Sequence, residues 1–127
     1  MNLVNQKEKQ TTDYIPLNGF GYVIDRNNSI IEVPVYGYFK FDRWTWIVHQ
    51  GLVDKNEVVV TESSTGFRLN KTKYTNIEDA VYAAKIFLDT KRFHLHTSIG
   101  CALVKTQKNL FMANKNLRTL ALNSILI

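Results

Sequence analysis

Four stretches rich in aromatic and β-branched residues, followed by a single capped helical pattern, narrow the folds open to this 127-residue chain. Residues 14–24, 29–41, 44–49 and 57–61 each read as a strand bounded by turn formers. Asp25-Arg26-Asn27-Asn28 turns the first run into the second, and residues 51–56 separate the third from the fourth. Pro34 has no backbone donor, so the second strand is expected to be an edge or to be interrupted there. Gly19-Phe20-Gly21 reads as strand glycines at a bulge. Ser63-Ser64-Thr65-Gly66 reads as a tight reversal, and Phe67-Arg68-Leu69 as a short fifth strand.

Thr75 with Glu78 three residues later has the form of a capping box. Ile77, Ala80, Val81, Ala84, Phe87 and Leu88 then recur on one helical face, which predicts a helix over about residues 76–90. Glu78 and Asp79 sit in its first turn and Lys91 and Arg92 just past its last, as the helix dipole favours. Leu95, Ile99, Ala102, Leu103, Thr106 and Leu110 fit a second amphipathic helix, which Gly100 and two β-branched residues weaken. Asn114-Lys115-Asn116 reads as a break. Residues 118–127 are mostly apolar and form a helix or a strand, packed in the core or against a second subunit as a homodimer contact. The expected fold class is α+β: an antiparallel sheet of four to five strands, one helix packed on it, and a basic, helical C-terminal segment. Residues 1–12 are polar and read as a disordered tail, leaving residues 13–127 as a single domain.

Charge is distributed unevenly. All eleven carboxylates lie at or before Asp89, whereas Lys91, Arg92, Lys105, Lys108, Lys115 and Arg118 follow it. The first 90 residues hold ten cations and eleven anions, a sum of −1; the rest sum to +6, giving the net +5. A solvated face usually mixes signs, so this segment is expected to contact phosphates, an anionic surface or an acidic partner. No apolar run approaches the ~20 residues of a membrane helix. The polar start, without a secretory signal, and one cysteine predict a cytoplasmic protein without disulfides. Lys outnumbers Arg eleven to five, and Asn is abundant at twelve. That bias is common in AT-rich genomes, including phages and plasmids of low-GC bacteria.

Catalytic sets are sparse. His94 and His96, with Cys101 five residues on, would share a face only on a strand, and a zinc site wants further ligands that the sequence lacks. Cys101 lies among Ile99, Ala102 and Leu103, where a thiol is inert. His96-Thr97-Ser98 has the His-x-Ser form of two-histidine phosphoesterases, but His49-Gln50-Gly51 is not the second copy those enzymes need. Glu78 and Asp79 serve the helix start, while Asp25 and Asp42 lie at strand boundaries. No phosphate loop or nucleophile elbow occurs. A non-enzymatic protein with no cofactor and no metal is expected.

Binding is the stronger reading. Arg43, Trp44 and Trp46 occur beside Phe39, Lys40 and Phe41, and both faces of that strand are rich in rings. A sheet covered on one side cannot bury both faces. At least one tryptophan is expected beneath the helix, with the remainder forming an aromatic–cation surface suited to nucleic acid or a protein hot spot. Arg68, Lys71 and Lys73 form a second cluster at the approach to the helix, which a solvated loop also explains.

Trp46-Ile47-Val48-His49, the run from Val59 to Leu69, and Thr75-Asn76-Ile77-Glu78-Asp79-Ala80 together resemble a cassette of small phage and mobile-element proteins. Their strand–strand–strand–helix order over residues 43–90 is similar to the three-stranded DNA-binding domain of plant AP2 factors and phage integrase arms. That resemblance implies a sheet entering the major groove, with Arg43 and Arg68 as the reading positions. The extra N-terminal strands and the long basic tail depart from it. As a basic, single-cysteine chain without a catalytic set, the protein also resembles anti-CRISPR and related anti-defence inhibitors in type. The expected function is an inhibitor docking on a bacterial nucleoprotein or nuclease; the alternative is a direct DNA-binding module or small transcriptional regulator.

Overall fold

The computed structural model describes residues 14–41, 44–69, 72–90 and 108–126. The expected polar tail over residues 1–12 lies outside them. Strands β1 (Ile15–Ile24), β2 (Ile30–Phe41), β3 (Trp44–Gln50) and β4 (Val58–Glu62) form one antiparallel sheet in the order β1-β2-β3-β4. Helix α1 (Ile77–Thr90) follows, then α2 (Lys108–Ala113) and α3 (Lys115–Leu126). The fold is α+β.

The β1–β2 turn is organised by Asp25, whose carboxylate Oδ1 accepts the N–H groups of Asn27 and Ser29, both at 2.9 Å. Asn28 takes the left-handed conformation that asparagine tolerates (φ 65°). Each of the first two ladders then carries one irregularity. Between Pro16–Gly37 and Gly19–Val35 the β1 strand has an extra residue, and between Val35–His49 and Gly37–Val48 the β2 strand has one. An extra residue flips the alternation of side chains, so Val35 and Tyr38, three apart, face the same core.

Pro34 lies on an internal strand but in a stretch of it that is locally an edge, in line with the expectation. Its missing donor is tolerated because β3 pairs with β2 only from Val35 onward. The expected fifth strand is reduced to isolated bridges, Thr61 with Arg68 and Val58 with Tyr74.

Helix α1 begins where the pattern predicts, but its cap is Asn76 rather than Thr75. Asn76 Oδ1 accepts the Asp79 N–H at 3.2 Å and the Asn76 carbonyl accepts the first helical bond, from Ala80. The buried face comprises Ala80, Val81, Ala84 and Leu88, while Phe87 lies on its exposed margin. This face covers Phe39, Trp44, Trp46, Val48, Val58 and Val60 on one side of the sheet. Burying each large apolar side chain there contributes roughly 1.5–3 kcal/mol.

The opposite side holds Val23, Val33, Val35, Tyr38 and Ile47, joined by Leu117 of α3. The two faces of β2 and β3 are both apolar because both are covered. Gly21 makes that second contact possible: a Cβ there would lie 2.8 Å from Val35 Cγ2 and 3.0 Å from Leu117 Cδ1. Val35 is β-branched and buried, so its side chain is stiff at χ1. Gly21→Ala is therefore expected to push α3 off the sheet and cost about 1–3 kcal/mol. An unchanged urea midpoint would show that the contact relaxes freely.

Candidate interaction surface

The residues expected to touch a partner are placed in three different settings. Trp44 is in the core beneath α1 with Trp46, so neither ring forms an exposed aromatic–cation surface. Arg68 donates from Nη2 to Glu57 Oε2 at 2.6 Å, and Lys73 pairs with Asp54. Two carboxylates thus balance two cations at this end of the sheet, which suits a solvated structural cluster better than a phosphate site. Arg43, Lys71, Lys91, Arg92 and Lys105 lie outside the described residues, as do His94, His96 and Cys101. Lys108 opens α2, and Lys115 is exposed at the start of α3.

The C-terminal helices are nearly one continuous rod. Asn114 donates its N–H to the Leu110 carbonyl and accepts from Arg118 N–H, so helical bonding passes through the expected break. Leu110, Asn114 and Leu117 recur at i, i+4, i+7 and form the buried stripe. The stripe beside it is Phe111, Lys115 and Arg118. The Arg118 guanidinium stacks 3.6 Å above the Phe111 ring, and its Nη1 is buried. Burial lowers the Arg118 pKa, and the nearby Glu62 charge partly offsets that. Arg118, expected to point at a partner, instead faces partly inward.

Sequence reasoning missed the polar centre to which these helices attach. Asn114 is 1% exposed. Its Oδ1 accepts the Tyr22 N–H at 3.0 Å, and its Nδ2 donates to the Tyr22 carbonyl at 2.9 Å and to the Ser63 carbonyl at 2.8 Å. Tyr22 belongs to β1, an outer strand of the sheet, so the carboxamide stands in for a neighbouring strand residue on its open edge. Ser63 follows β4, at the other outer strand. One side chain thus joins two corners of the sheet to the C-terminal helices.

Glu62, also 1% exposed, organises the reversal that presents Ser63. Its carboxylate accepts from the backbone N–H groups of Ser64 (3.1 Å) and Thr65 (3.0 Å). The hydroxyls of Ser63, Ser64 and Thr65 donate to it as well. Gly66 closes the turn at φ +76°, a conformation costly for a residue with a Cβ. The sequence signal was present in Glu62-Ser63-Ser64-Thr65-Gly66, where a carboxylate precedes three hydroxyl residues.

His49 forms a second buried pairing, between β3 and β4. Its Nδ1 lies 2.8 Å from the Gln50 carbonyl, which can only accept, so Nδ1 carries the proton. Nε2 therefore accepts from the Thr61 hydroxyl at 2.7 Å. Burial lowers the His49 pKa from 6.5 to about 4; the Gln50 hydrogen bond opposes the shift and the Arg68 charge adds to it. The folded state thus binds this proton only near pH 4, whereas the unfolded chain binds it near 6.5. Stability is expected to be complete above pH 6.5 and to fall by about 3 kcal/mol as pH drops through 4. Urea unfolding of the wild type and His49→Leu at both pH values tests this. An equal loss of stability in both proteins would assign the acid sensitivity elsewhere.

Among the described residues, no three of His, Cys, Asp and Glu come together to hold a metal ion. No described helix is long and apolar enough to cross a membrane. No protein family, curated protein or solved structure matches the chain at a significant level.

Proposed function

We propose that the protein is a non-enzymatic binding protein that docks on a bacterial nucleoprotein or nuclease, in the manner of phage-borne anti-CRISPR inhibitors. The observation that carries this reading is the C-terminal part of the chain, with six cations and no side-chain anion after Asp89. Within it, Lys115, Phe111 and Met112 are exposed on the outer surface of the helices. Cations beside exposed apolar side chains suit a protein surface that carries acidic groups or bound nucleic acid. The paired Arg68 and Lys73 and the buried Trp44 move the contact away from the sheet face that a DNA-reading domain would use.

The test mixes the purified protein with a panel of bacterial CRISPR nucleoproteins on a sizing column and measures nuclease activity. Co-migration with loss of cleavage is the expected result, and Lys108→Glu with Lys115→Glu should weaken it several-fold. Absence of both co-migration and inhibition across the panel sinks the reading. A salt-sensitive shift of random duplex DNA without the nucleoprotein would replace it with direct DNA binding.

A further inference from the structure

Asn18 stands directly before the glycines at the β1 bulge. The chain has twelve asparagines, and only Asn18 precedes a glycine; Asn28 and Asn123 precede serine, and the others precede larger residues. That neighbour decides how readily an asparagine reacts with its own backbone. A glycine has no Cβ to obstruct attack by its nitrogen on the preceding side chain, and asparagine is among the residues least durable in heat.

The fold leaves the pair room to react. Strand β1 is an outer strand, and its Leu17 and Asn18 together oppose Tyr36 of β2. The Asn18 side chain is exposed. Beyond its chain neighbours, a Cβ on Gly19 would meet nothing nearer than Leu17 Cγ, at 3.9 Å. Before the bulge only the Ile15–Tyr38 and Pro16–Gly37 pairings hold β1 to β2, and Pro16 brings no donor. Freeing Gly19 from Val35 leaves the pairings from Phe20 to Ile24 in place. Opening one strand end costs much less than unfolding the domain.

We propose that Asn18–Gly19 is a self-modification site, at which the folded protein converts Asn18 to a mixture of isoaspartate and aspartate. Solvent base takes the proton from the Gly19 nitrogen, whose electron pair then bonds to Asn18 Cγ. The Cγ–Nδ2 bond breaks, and Nδ2 leaves as ammonia with protons from water. Water then opens the succinimide ring. Attack at Cγ gives aspartate; attack at the main-chain carbonyl gives isoaspartate, whose backbone runs through Cγ. One water enters and one ammonia leaves, with no change of oxidation state. The product carries a new carboxylate, so the net charge falls from +5 to +4 (5 − 1). This inference stands apart from the proposed target, because it is measured on the isolated protein.

The test holds the folded protein at neutral and at mildly alkaline pH, then cuts it with trypsin to release residues 10–26, in which Asn18 is the one asparagine. That peptide should gain the mass of an NH2-to-OH exchange and accept methyl groups from an isoaspartyl methyltransferase. The intact protein should yield a cation-exchange species of lower charge, and all three changes should run faster at the higher pH. Gly19→Ala should fold, since its Cβ has room and Gly19 is not at positive φ, yet convert at least several-fold more slowly. Asn18→Gln, which would need a larger ring, should show no gain over the same period. Circular dichroism checks the fold of both variants. A folded wild type that stays unmodified through the time in which the urea-unfolded chain converts overturns the proposal, since the ladder then holds the Gly19 nitrogen. So does a mass gain that appears first at another asparagine, or a folded Gly19→Ala variant that converts as fast as the wild type.

Discussion

Glu62→Ala is expected to destabilise the domain by about 4 kcal/mol, the largest effect of any polar substitution considered. The carboxylate is buried and accepts from two backbone N–H groups and three hydroxyls. Hydrogen bonds to a charged acceptor contribute roughly 1.5–3 kcal/mol each, and they are not additive when they share one acceptor group. Truncation leaves the Ser64 and Thr65 N–H groups facing a void, which adds the cost of unmet donors. Against a total stability of roughly 5–15 kcal/mol, the loss is severe. Glu62→Gln should cost about half as much, since one oxygen remains while the new amide group meets donors where it needs acceptors. Urea unfolding of both variants gives the comparison. If Glu62→Ala unfolds within 0.5 kcal/mol of wild type, roughly the scatter of an ordinary surface change, the turn does not depend on its carboxylate.

Asn114→Leu is expected to cost about 3 kcal/mol, although leucine is the better helix former and would continue the stripe of Leu110 and Leu117. The substitution removes three hydrogen bonds and leaves one donor and two acceptors behind: Tyr22 N–H, Tyr22 C=O and Ser63 C=O. At roughly 1 kcal/mol or more for each group left unmet, the polar loss exceeds the gain in apolar burial. Asn114→Asp separates the contributions. It keeps the acceptor for Tyr22 N–H but turns a negative oxygen towards two carbonyls, so it should be at least as damaging. A leucine variant as stable as wild type would show that water replaces the carboxamide without penalty.

Much of the fold was legible because it depends on short-range chemistry. The four strands and α1 fall within a residue or two of the sequence reading, since β-branched runs, turn formers and a 3.6-residue period are local signals. The coverage of the sheet was not legible in the same way. Aromatic residues on both faces around Phe39, Trp44 and Trp46 suggested an exposed ring surface. The alternative, that a second helical layer covers the other face, depends on Leu117 reaching Ile47 and Val35 from far along the chain. Asn114 was legible only in part, for a related reason. The break read there does divide α2 from α3. Asparagine between two helical patterns signals a break, and only its partners Tyr22 and Ser63 show it to be a buried connection. Of the expected contact residues, Arg68 and Lys73 face carboxylates that precede them by 11 and 19 residues, a pairing that charge counting along the sequence passes over.

The bond between Tyr22 and Asn114 spans 92 positions of sequence. As the polypeptide leaves the ribosome, β1 to β4 can hairpin together early, each with the one before it. The β1 border and half of the apolar sheet nevertheless stay wet until Leu110, Asn114 and Leu117 have been synthesised and have emerged. Long-range closure of this kind slows folding. The nascent sheet, apolar on that side until then, is most open to aggregation at that stage.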